Sequence, residues 1–277
     1  MARMFGFIGN RADLGPHVLK AHAPTLSIRR GEGGPPLGWG LGFYQSGEVL
    51  LRRRPLDERA VIDVSEAATN VRTDVLIGHV REATVGSLRS ENTHPFRYRL
   101  WLFAQTGTID GFEKLQGRLL ESVPEFLRRN LRGETDSELF FYLFLSFLHD
   151  SGHLRETPPS PEHIRVALRS SISLVDRLSA EEGRAENQGD ILVTNGEHLL
   201  AVHRDGTMAY RVLAGRHDVE ELLGDEGMRS ARIPSIDSTR FALVASELEG
   251  VPSRWTAVPE RTIVTMSRTE DPEVEAL

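Results

Sequence analysis

The feature that most constrains the fold is a segment in the middle of the chain that is apolar nearly all round. Residues 139–145 read Leu-Phe-Phe-Tyr-Leu-Phe-Leu. Thr135 followed by Glu138 predicts a capping box, in which each side chain satisfies an amide at the start of a helix. A helix without a polar face is buried on most of its sides. The helix predicted over 135–148 therefore needs other layers of structure around it.

Short apolar runs on both sides of this helix predict strands. They lie at 5–8, 40–44, 49–51, 75–77 and 101–104 before it, and at 191–194, 198–203, 208–213, 241–246 and 262–267 after it. Asn195-Gly196 predicts a two-residue hairpin turn. Residues 164–178 predict a second long helix, and Pro124 divides or kinks the helical pattern of 116–131. The order of strands, helices and strands predicts two sheets enclosing helices, or an α+β arrangement.

Composition narrows the classes of function. A chain of 277 residues fits one large domain or two small ones, and its net charge of -7 argues against a nucleic-acid partner. The basic runs 52–54 and 128–132 are short and lack aromatics, which favours solvated surface over an anionic partner site. No apolar run approaches the roughly 20 residues of a membrane span, and the start does not resemble a signal peptide. We expect a cytoplasmic protein without metal or cofactor.

Several blocks occur in a characteristic order. They are 1–9 (Met-Ala-Arg-Met-Phe-Gly-Phe-Ile-Gly), 38–44 (Gly-Trp-Gly-Leu-Gly-Phe-Tyr), 79–86 (His-Val-Arg-Glu-Ala-Thr-Val-Gly), 92–96 (Asn-Thr-His-Pro-Phe), 104–109 (Ala-Gln-Thr-Gly-Thr-Ile), 133–136 (Gly-Glu-Thr-Asp), 244–247 (Val-Ala-Ser-Glu) and 255–258 (Trp-Thr-Ala-Val). Together they resemble the class II glutamine amidotransferases, whose nucleophile is an amino-terminal cysteine exposed by removal of Met1. The resemblance implies a four-layer αββα sandwich of the amino-terminal-nucleophile (Ntn) hydrolase type. It covers one domain at 1–268, and the acidic composition of 269–277 predicts a frayed tail.

The resemblance also implies a substrate site. Arg81 would pair with the α-carboxylate of glutamine, for which a planar guanidinium is well suited. Asp136 would hold the α-ammonium from the first turn of its helix, where a carboxylate is favoured and stays ionised. Thr84 belongs to the same substrate-binding set. Gly107 would offer its backbone amide to the oxyanion.

Two positions depart from the family pattern. Ala2 occupies the place of the nucleophile, and the chain contains no cysteine at all. Thr106 stands where family members usually carry the asparagine of a His-Asn-Gly block, and here that block reads Gln105-Thr106-Gly107. The asparagine amide helps to form the oxyanion hole, so both the nucleophile and one donor are missing. The pair of changes favours natural loss of catalysis over a single engineered substitution at position 2.

Three functions remain open at this point. The first is a catalytically silent relative that binds glutamine, a γ-glutamyl ligand or a protein partner. The second is an active amidotransferase or amidohydrolase in which Ala2 replaces a natural cysteine. The third is a purely structural role with a filled pocket.

Individual residues also have simpler interpretations. Arg81 can be an ion-pair residue, Asp136 can serve only its helix, and Trp39 with its glycines is typical of tight packing. His79 and His94 are expected to find backbone partners. Residues 149–153 (His-Asp-Ser-Gly-His) suggest a metal site only superficially, because a polar loop after a buried helix is usually exposed and no remote ligand set is evident.

Overall fold

The computed structural model describes residues 2–31, 34, 37–82, 87–155, 159–230 and 236–277, with the backbone alone at 82 and 225–230. Its strands are β1 (Arg3–Gly9), β2 (Ile28–Arg29), β3 (Leu37–Gln45), β4 (Glu48–Asp57), β5 (Val61–Ile62), β6 (Val75–Glu82), β7 (Phe96–Tyr98), β8 (Trp101–Gln105), β9 (Ile191–Thr194), β10 (Leu199–His203), β11 (Ala209–Ala214), β12 (Arg240–Ala245), β13 (Thr256–Ala257), β14 (Thr262–Met266) and β15 (Glu273–Ala276). Its α-helices are α1 (Gly15–Ala21), α2 (Ala23–Leu26), α3 (Val64–Ala67), α4 (Phe112–Glu121), α5 (Glu125–Arg128), α6 (Asp136–Asp150), α7 (Pro161–Glu181) and α8 (Gly215–Ser230).

Two antiparallel sheets form the centre of the molecule. The first has seven strands in the order β13-β11-β12-β1-β6-β3-β4, and the second has six in the order β15-β14-β10-β9-β8-β7. Strands β2 and β5 form a separate two-stranded pair. Each large sheet therefore combines strands from before and after the central helices, which makes the two halves of the chain interdependent.

Three apolar cores separate four layers. One core lies between the sheets, one lies between the seven-stranded sheet and α1–α3 with α8, and one lies between the six-stranded sheet and α4–α7. Both faces of strand β1 are apolar. Successive side chains point to opposite faces of a sheet, and each face of β1 packs against another layer. Met4 and Ile8 belong to the core between the sheets, whereas Phe5 and Phe7 face the helices. The predicted αββα sandwich is confirmed.

The alternative of two sheets enclosing helices is wrong, because the helices lie outside and the sheets face each other. Helix α6 nevertheless has a buried surface on most sides, as its composition predicts. It packs on the six-stranded sheet and is covered by α4 and α7. The helical pattern of 116–131 is divided at Pro124 into α4 and α5, as predicted.

The start of α6 satisfies its free amides differently from a complete capping box. Thr135 Oγ1 accepts the expected hydrogen bond from the Glu138 N–H at 3.2 Å. The Glu138 carboxylate does not return to Thr135. It accepts hydrogen bonds from the N–H groups of Arg132 at 3.0 Å and Gly133 at 2.7 Å. Glu138 therefore fixes the loop that leads into α6.

Two local predictions need correction. The β9–β10 connection contains four residues rather than two, because Thr194 pairs with Leu199. Asn195 Oδ1 accepts hydrogen bonds from the N–H groups of Glu197 and His198, and these bonds close the longer turn. The predicted frayed end is also wrong, since β15 pairs with β14 along the edge of the six-stranded sheet.

Arg165 of α7 ties β15 to the rest of the fold. Its guanidinium contacts Glu162, Glu273 and Glu275 at 3.0–3.1 Å, and its side chain is only 11% exposed. We expect Arg165→Ala to lower the free energy of unfolding by about 1–3 kcal/mol, because the charge-assisted hydrogen bonds of a largely buried guanidinium are lost. Urea denaturation measures the change. Arg177→Ala on the same helix is the control, since Arg177 is exposed, and an equal loss in both variants would contradict the role of β15 pairing.

The Gly-Trp-Gly strand has a packing function. A Cβ at Gly40 would lie 2.1 Å from the carbonyl oxygen of His94, so only glycine allows the 92–96 turn to approach β3 this closely. The Trp39 indole N–H donates to the buried carboxylate of Asp57 at 2.9 Å. The packing interpretation of this block is confirmed. Among the described helices, none is both long and apolar enough to cross a membrane.

Candidate functional site

A cavity of about 580 Å³ lies at one end of the space between the two sheets. Alternation along the strands explains its position. Ala2 continues the face of Met4 on β1, Arg81 continues the face of Ile77 on β6, and Thr106 continues the face of Ala104 on β8. At this end the apolar side chains between the sheets give way to polar ones.

The start of the chain is held firmly at the edge of this cavity. The Arg3 guanidinium donates to the carbonyl oxygens of Thr25 at 2.8 Å, Ser27 at 2.9 Å and Glu247 at 2.9 Å. The next residue along β1, Met4, joins β12 through its carbonyl oxygen, which accepts from the Ser246 N–H. Ala2 is therefore placed by the strand that follows it, and its methyl group lines the cavity.

Arg81 supplies a cation to the cavity. Its guanidinium makes no hydrogen bond or ion pair with any residue that the structure describes, and its Nε is buried. Burial lowers the pKa of Arg81, and the negative charge of Asp136 acts in the opposite direction. The interpretation of Arg81 as a structural ion-pair residue has no support among the described contacts.

Asp136 lines the same cavity from the first turn of α6. One carboxylate oxygen accepts a hydrogen bond from the Ile109 N–H at 2.7 Å, and the other accepts from the Ser137 N–H at 2.8 Å. Burial raises the pKa of Asp136, whereas these bonds lower it, and the net shift is upward. The direction differs from the sequence expectation of a carboxylate favoured by its helix, because desolvation outweighs the helix start.

Gly107 lies in the loop that leaves β8. Its φ of +76° is in the left-handed region, and a Cβ there would lie 2.4 Å from the carbonyl oxygen of Gln188. Both facts require glycine at this position. Within the described part of the chain, the Gly107 N–H has no hydrogen-bond partner. This amide remains available to an acceptor in the cavity.

The side chain of Thr106 has a structural contact. Its hydroxyl accepts a hydrogen bond from the Asp190 N–H at 3.0 Å, and its own N–H donates to the Asp190 carbonyl at 3.0 Å. These bonds join the end of β8 to the start of β9. The hydroxyl oxygen is fixed by the bond that it accepts, and its own hydrogen is left for one donation.

His79 and His94 form a pair of buried rings on the cavity wall, with centroids 4.4 Å apart. No described group meets hydrogen-bond geometry with any of the four ring nitrogens. Burial lowers the pKa of His79 to about 3, assisted by the charge of Arg81 and opposed by the Gln105 backbone. Burial likewise places the pKa of His94 well below its usual value. The expectation of satisfied backbone partners is wrong for His94, and both rings are neutral near pH 7.

The Asn-x-His-Pro turn connects this wall to α6. Asn92 Oδ1 accepts a hydrogen bond from the Glu134 N–H at 3.0 Å, and its amide donates to Ser87 Oγ at 2.8 Å. Asn92 is itself buried. The turn that carries His94 therefore also fixes the residues that precede Asp136.

Most of the predicted site residues come together in this cavity. Those that line it are Ala2, Arg81, Thr106, Gly107 and Asp136. Thr84 lies outside the described residues, as does the rest of 83–86. The sequence patterns do not select His79, His94 or Gln105, although all three line the cavity. Their unpartnered buried atoms depend on tertiary packing, which no local pattern encodes.

The charges of the inner cavity suit a zwitterion, with Arg81 for an anion and Asp136 for a cation. The Gly107 amide lines the same cavity and can donate to a carbonyl oxygen there. No group of three or more histidine, aspartate or glutamate side chains in the described ranges has the arrangement of a metal site. The α-carboxylate and α-ammonium of an amino acid are the charges that Arg81 and Asp136 complement.

Comparison with known proteins identifies the family. Residues 23–274 match the family model described as glutamine amidotransferases class-II. The chain belongs to this family. It is 26% identical over 253 residues to the probable glutamine amidotransferase DUG3 of Saccharomyces cerevisiae, covering 83% of this chain and 69% of that protein. It is 34% identical over 116 residues to an uncharacterized protein of Methanocaldococcus jannaschii, of which it spans only 30%.

Solved structures of class-II glutamine amidotransferases share the fold. A glutamine aminotransferase class-II domain protein from Silicibacter pomeroyi superimposes with a TM-score of 0.59 at 18% identity, over 99% of this chain and 98% of that one. Glutamine phosphoribosylpyrophosphate amidotransferase from B. subtilis gives a TM-score of 0.53 at 14% identity, over 99% of this chain and 49% of that one. The Ntn-hydrolase fold predicted for this class-II family member is confirmed.

Proposed function

We propose that this class-II family member binds a glutamine-type α-amino acid in the cavity and does not hydrolyse it. The proposal rests on Arg81, a cation that has no hydrogen-bond or ion-pair partner among the described residues and lines the same cavity as Asp136. The absence of hydrolysis rests on Ala2 and on a chain without cysteine, since a methyl group cannot attack a carbonyl.

The proposal follows from the charges. A carboxylate on Arg81 and an ammonium on Asp136 would satisfy both of these charges at once. Bidentate contact with a guanidinium is among the stronger polar interactions in proteins. A ligand held in this way and not consumed is consistent with sensing the amino acid or presenting it to a protein partner.

Calorimetric titration with L-glutamine tests the proposal. We expect saturable binding, and we expect Arg81→Ala to weaken it by about 30-fold or more, since truncating one partner of a buried charge pair costs at least about 2 kcal/mol. Arg177→Ala is the matched arginine control, because that side chain is exposed on α7, away from the cavity. No heat of binding at millimolar glutamine would overturn the proposal and direct attention to protein partners.

An active enzyme is the second candidate, because the family to which the chain belongs is defined by glutamine chemistry. It requires that Ala2 replace a natural cysteine. Release of ammonia from glutamine at an ordinary enzymatic rate after Ala2→Cys alone would favour this candidate over the first.

A further inference from the structure

A second cavity, of about 560 Å³, lies in the helical layer that covers the seven-stranded sheet. Helices α1 and α8 line it, and β11 contributes Arg211 and Leu213. The cavity between the sheets has a similar volume, about 580 Å³. Among the described residues, none lines both cavities. The function proposed above therefore makes no use of this second space.

Arg211 places a positive charge beneath the helices. Its neighbours on the same face of β11, Ala209 and Leu213, belong to the apolar core of that layer, and the Arg211 side chain is only 14% exposed. His22 Nδ1 lies 2.8 Å from the Val18 carbonyl oxygen, which can only accept, so Nδ1 carries the proton of the ring. His22 Nε2 is then an acceptor for Arg211 Nη1 at 3.3 Å. Burial lowers the pKa of His22, so this neutral ring positions the guanidinium without cancelling its charge.

The two carboxylates of the lining have other hydrogen-bond donors. Glu221 Oε2 lies 3.7 Å from Arg211 Nη2, which is too far for a hydrogen bond, and it accepts one from Arg254 instead. Asp218 Oδ2 accepts a hydrogen bond from the Ala214 N–H at 2.7 Å. Within the described ranges, the contact with His22 is the one hydrogen bond of the Arg211 side chain. The guanidinium therefore keeps N–H groups for an added anion.

The rest of the lining supplies a second cation and an apolar surface. Lys20 of α1 is exposed, and its ammonium has no hydrogen-bond or ion-pair partner in the part of the chain that the structure describes. Leu213, Leu222 and Leu223 pack against the core of the helical layer and also line the cavity. Gly224 interrupts α8 with a φ of +64°, and a Cβ there would meet nothing within 4 Å. The cavity is therefore open at this rim.

We propose that the cavity between α1 and α8 is a second binding site, which takes a monocarboxylate with an apolar body. The carboxylate would contact Arg211 and Lys20, and the apolar body would cover the three leucines. Guanidinium and carboxylate form strong charge-assisted hydrogen bonds. A small dianion such as phosphate fits less well, because Asp218 and Glu221 repel added negative charge and the leucines would stay uncovered.

Calorimetric titration of the unaltered protein with hexanoate, hexanamide and inorganic phosphate tests the site. Hexanamide has the chain of hexanoate and a neutral head group. We expect saturable binding of hexanoate, at least about tenfold tighter than that of hexanamide, because only the carboxylate forms charge-assisted bonds with both cations. No saturable binding of hexanoate at millimolar concentration, equal affinity for hexanamide, or tighter binding of phosphate would overturn the proposal.

Two substitutions assign the binding to the cavity. We expect Arg211→Met to weaken hexanoate binding by about tenfold and Lys20→Met by about threefold, since an exposed ion pair contributes less than a buried one. Arg216→Met is the control, because Arg216 is 56% exposed on α8 and does not line the cavity. Unchanged affinity in a folded Arg211→Met variant would contradict the proposal. Should that variant not fold, the exposed Lys20→Met substitution decides the assignment.

Arg81→Ala separates this site from the cavity between the sheets. Hexanoate also offers a carboxylate to Arg81, so its binding must be shown to survive the loss of that cation. We expect the affinity for hexanoate to be unchanged in Arg81→Ala and in the presence of saturating L-glutamine. A loss of hexanoate binding in either experiment would place the ligand between the sheets and overturn the proposal. Failure of glutamine alone to bind would overturn the proposed function and leave the second site in place.

Discussion

Replacement of both Ala2 by cysteine and Thr106 by asparagine is expected to release ammonia from L-glutamine about 10²–10³ times faster than replacement of Ala2 alone. The cysteine restores a nucleophile at the position from which the Ala2 methyl lines the cavity. The asparagine restores an oxyanion donor next to the Gly107 amide, which has no hydrogen-bond partner in the described part of the chain. The two donors act on the charge that develops in the transition state, so the second substitution should raise kcat more than it changes KM.

Coupled measurement of ammonia on the single and double variants checks this expectation, with removal of Met1 confirmed by mass spectrometry. The double variant carrying Arg81→Ala serves as the control, because its nucleophile and donor are intact while the substrate cation is gone. A cysteine variant that reaches full rate without the asparagine would show that Thr106 does not limit catalysis. That result would favour an engineered change at Ala2 over natural loss of activity.

Thr106 also carries a structural cost in this experiment. Its hydroxyl accepts the Asp190 N–H, and an asparagine oxygen must take over that bond for β8 and β9 to stay joined. Circular dichroism of the double variant separates a failure of folding from a failure of chemistry. A folded but inactive double variant would mean that restoring these two groups is not sufficient.

Local sequence patterns predict the elements of this fold better than the arrangement of its layers, which the family resemblance predicts. Alternation and apolar runs locate the strands because the period of two is local. The all-apolar composition of α6 likewise predicts burial. This composition does not show which elements cover the helix. An arrangement with the helices outside two facing sheets fits the same pattern as an arrangement with the helices between the sheets. The structure decides between these two arrangements, because Met4 on one face of β1 packs between the sheets and Phe5 on the other face packs against the helices.

The candidate site likewise has features that the sequence predicts and features that depend on tertiary packing. The resemblance of the sequence blocks to the family predicts one site for Arg81, Gly107 and Asp136, and all three line the cavity. The direction of the Asp136 pKa shift depends on burial, which the position in a first helical turn does not reveal. The burial of the His79 and His94 rings is likewise a property of the folded cavity, in which none of their nitrogens meets hydrogen-bond geometry with a described residue.

Phe141→Ala is expected to lower the free energy of unfolding by about 3–5 kcal/mol, the range for truncating a fully buried phenylalanine. Phe141 is 0% exposed in the middle of α6, and its ring stacks on Phe103 of β8 with centroids 5.2 Å apart. The substitution leaves a cavity between the helical layer and the six-stranded sheet. Urea denaturation should show a lower midpoint with little change in slope.

Phe126→Ala is the matched control, because this ring is 41% exposed and contacts His149 at the surface. We expect its effect to stay below about 1 kcal/mol, as is usual for surface substitutions. The difference between the two phenylalanines measures how firmly α6 is held against the sheet. Because α6 begins at Asp136, a small effect at Phe141 would mean a helix that packs loosely, and the position of the Asp136 carboxylate in the cavity would then be less fixed than its hydrogen bonds to Ile109 and Ser137 imply.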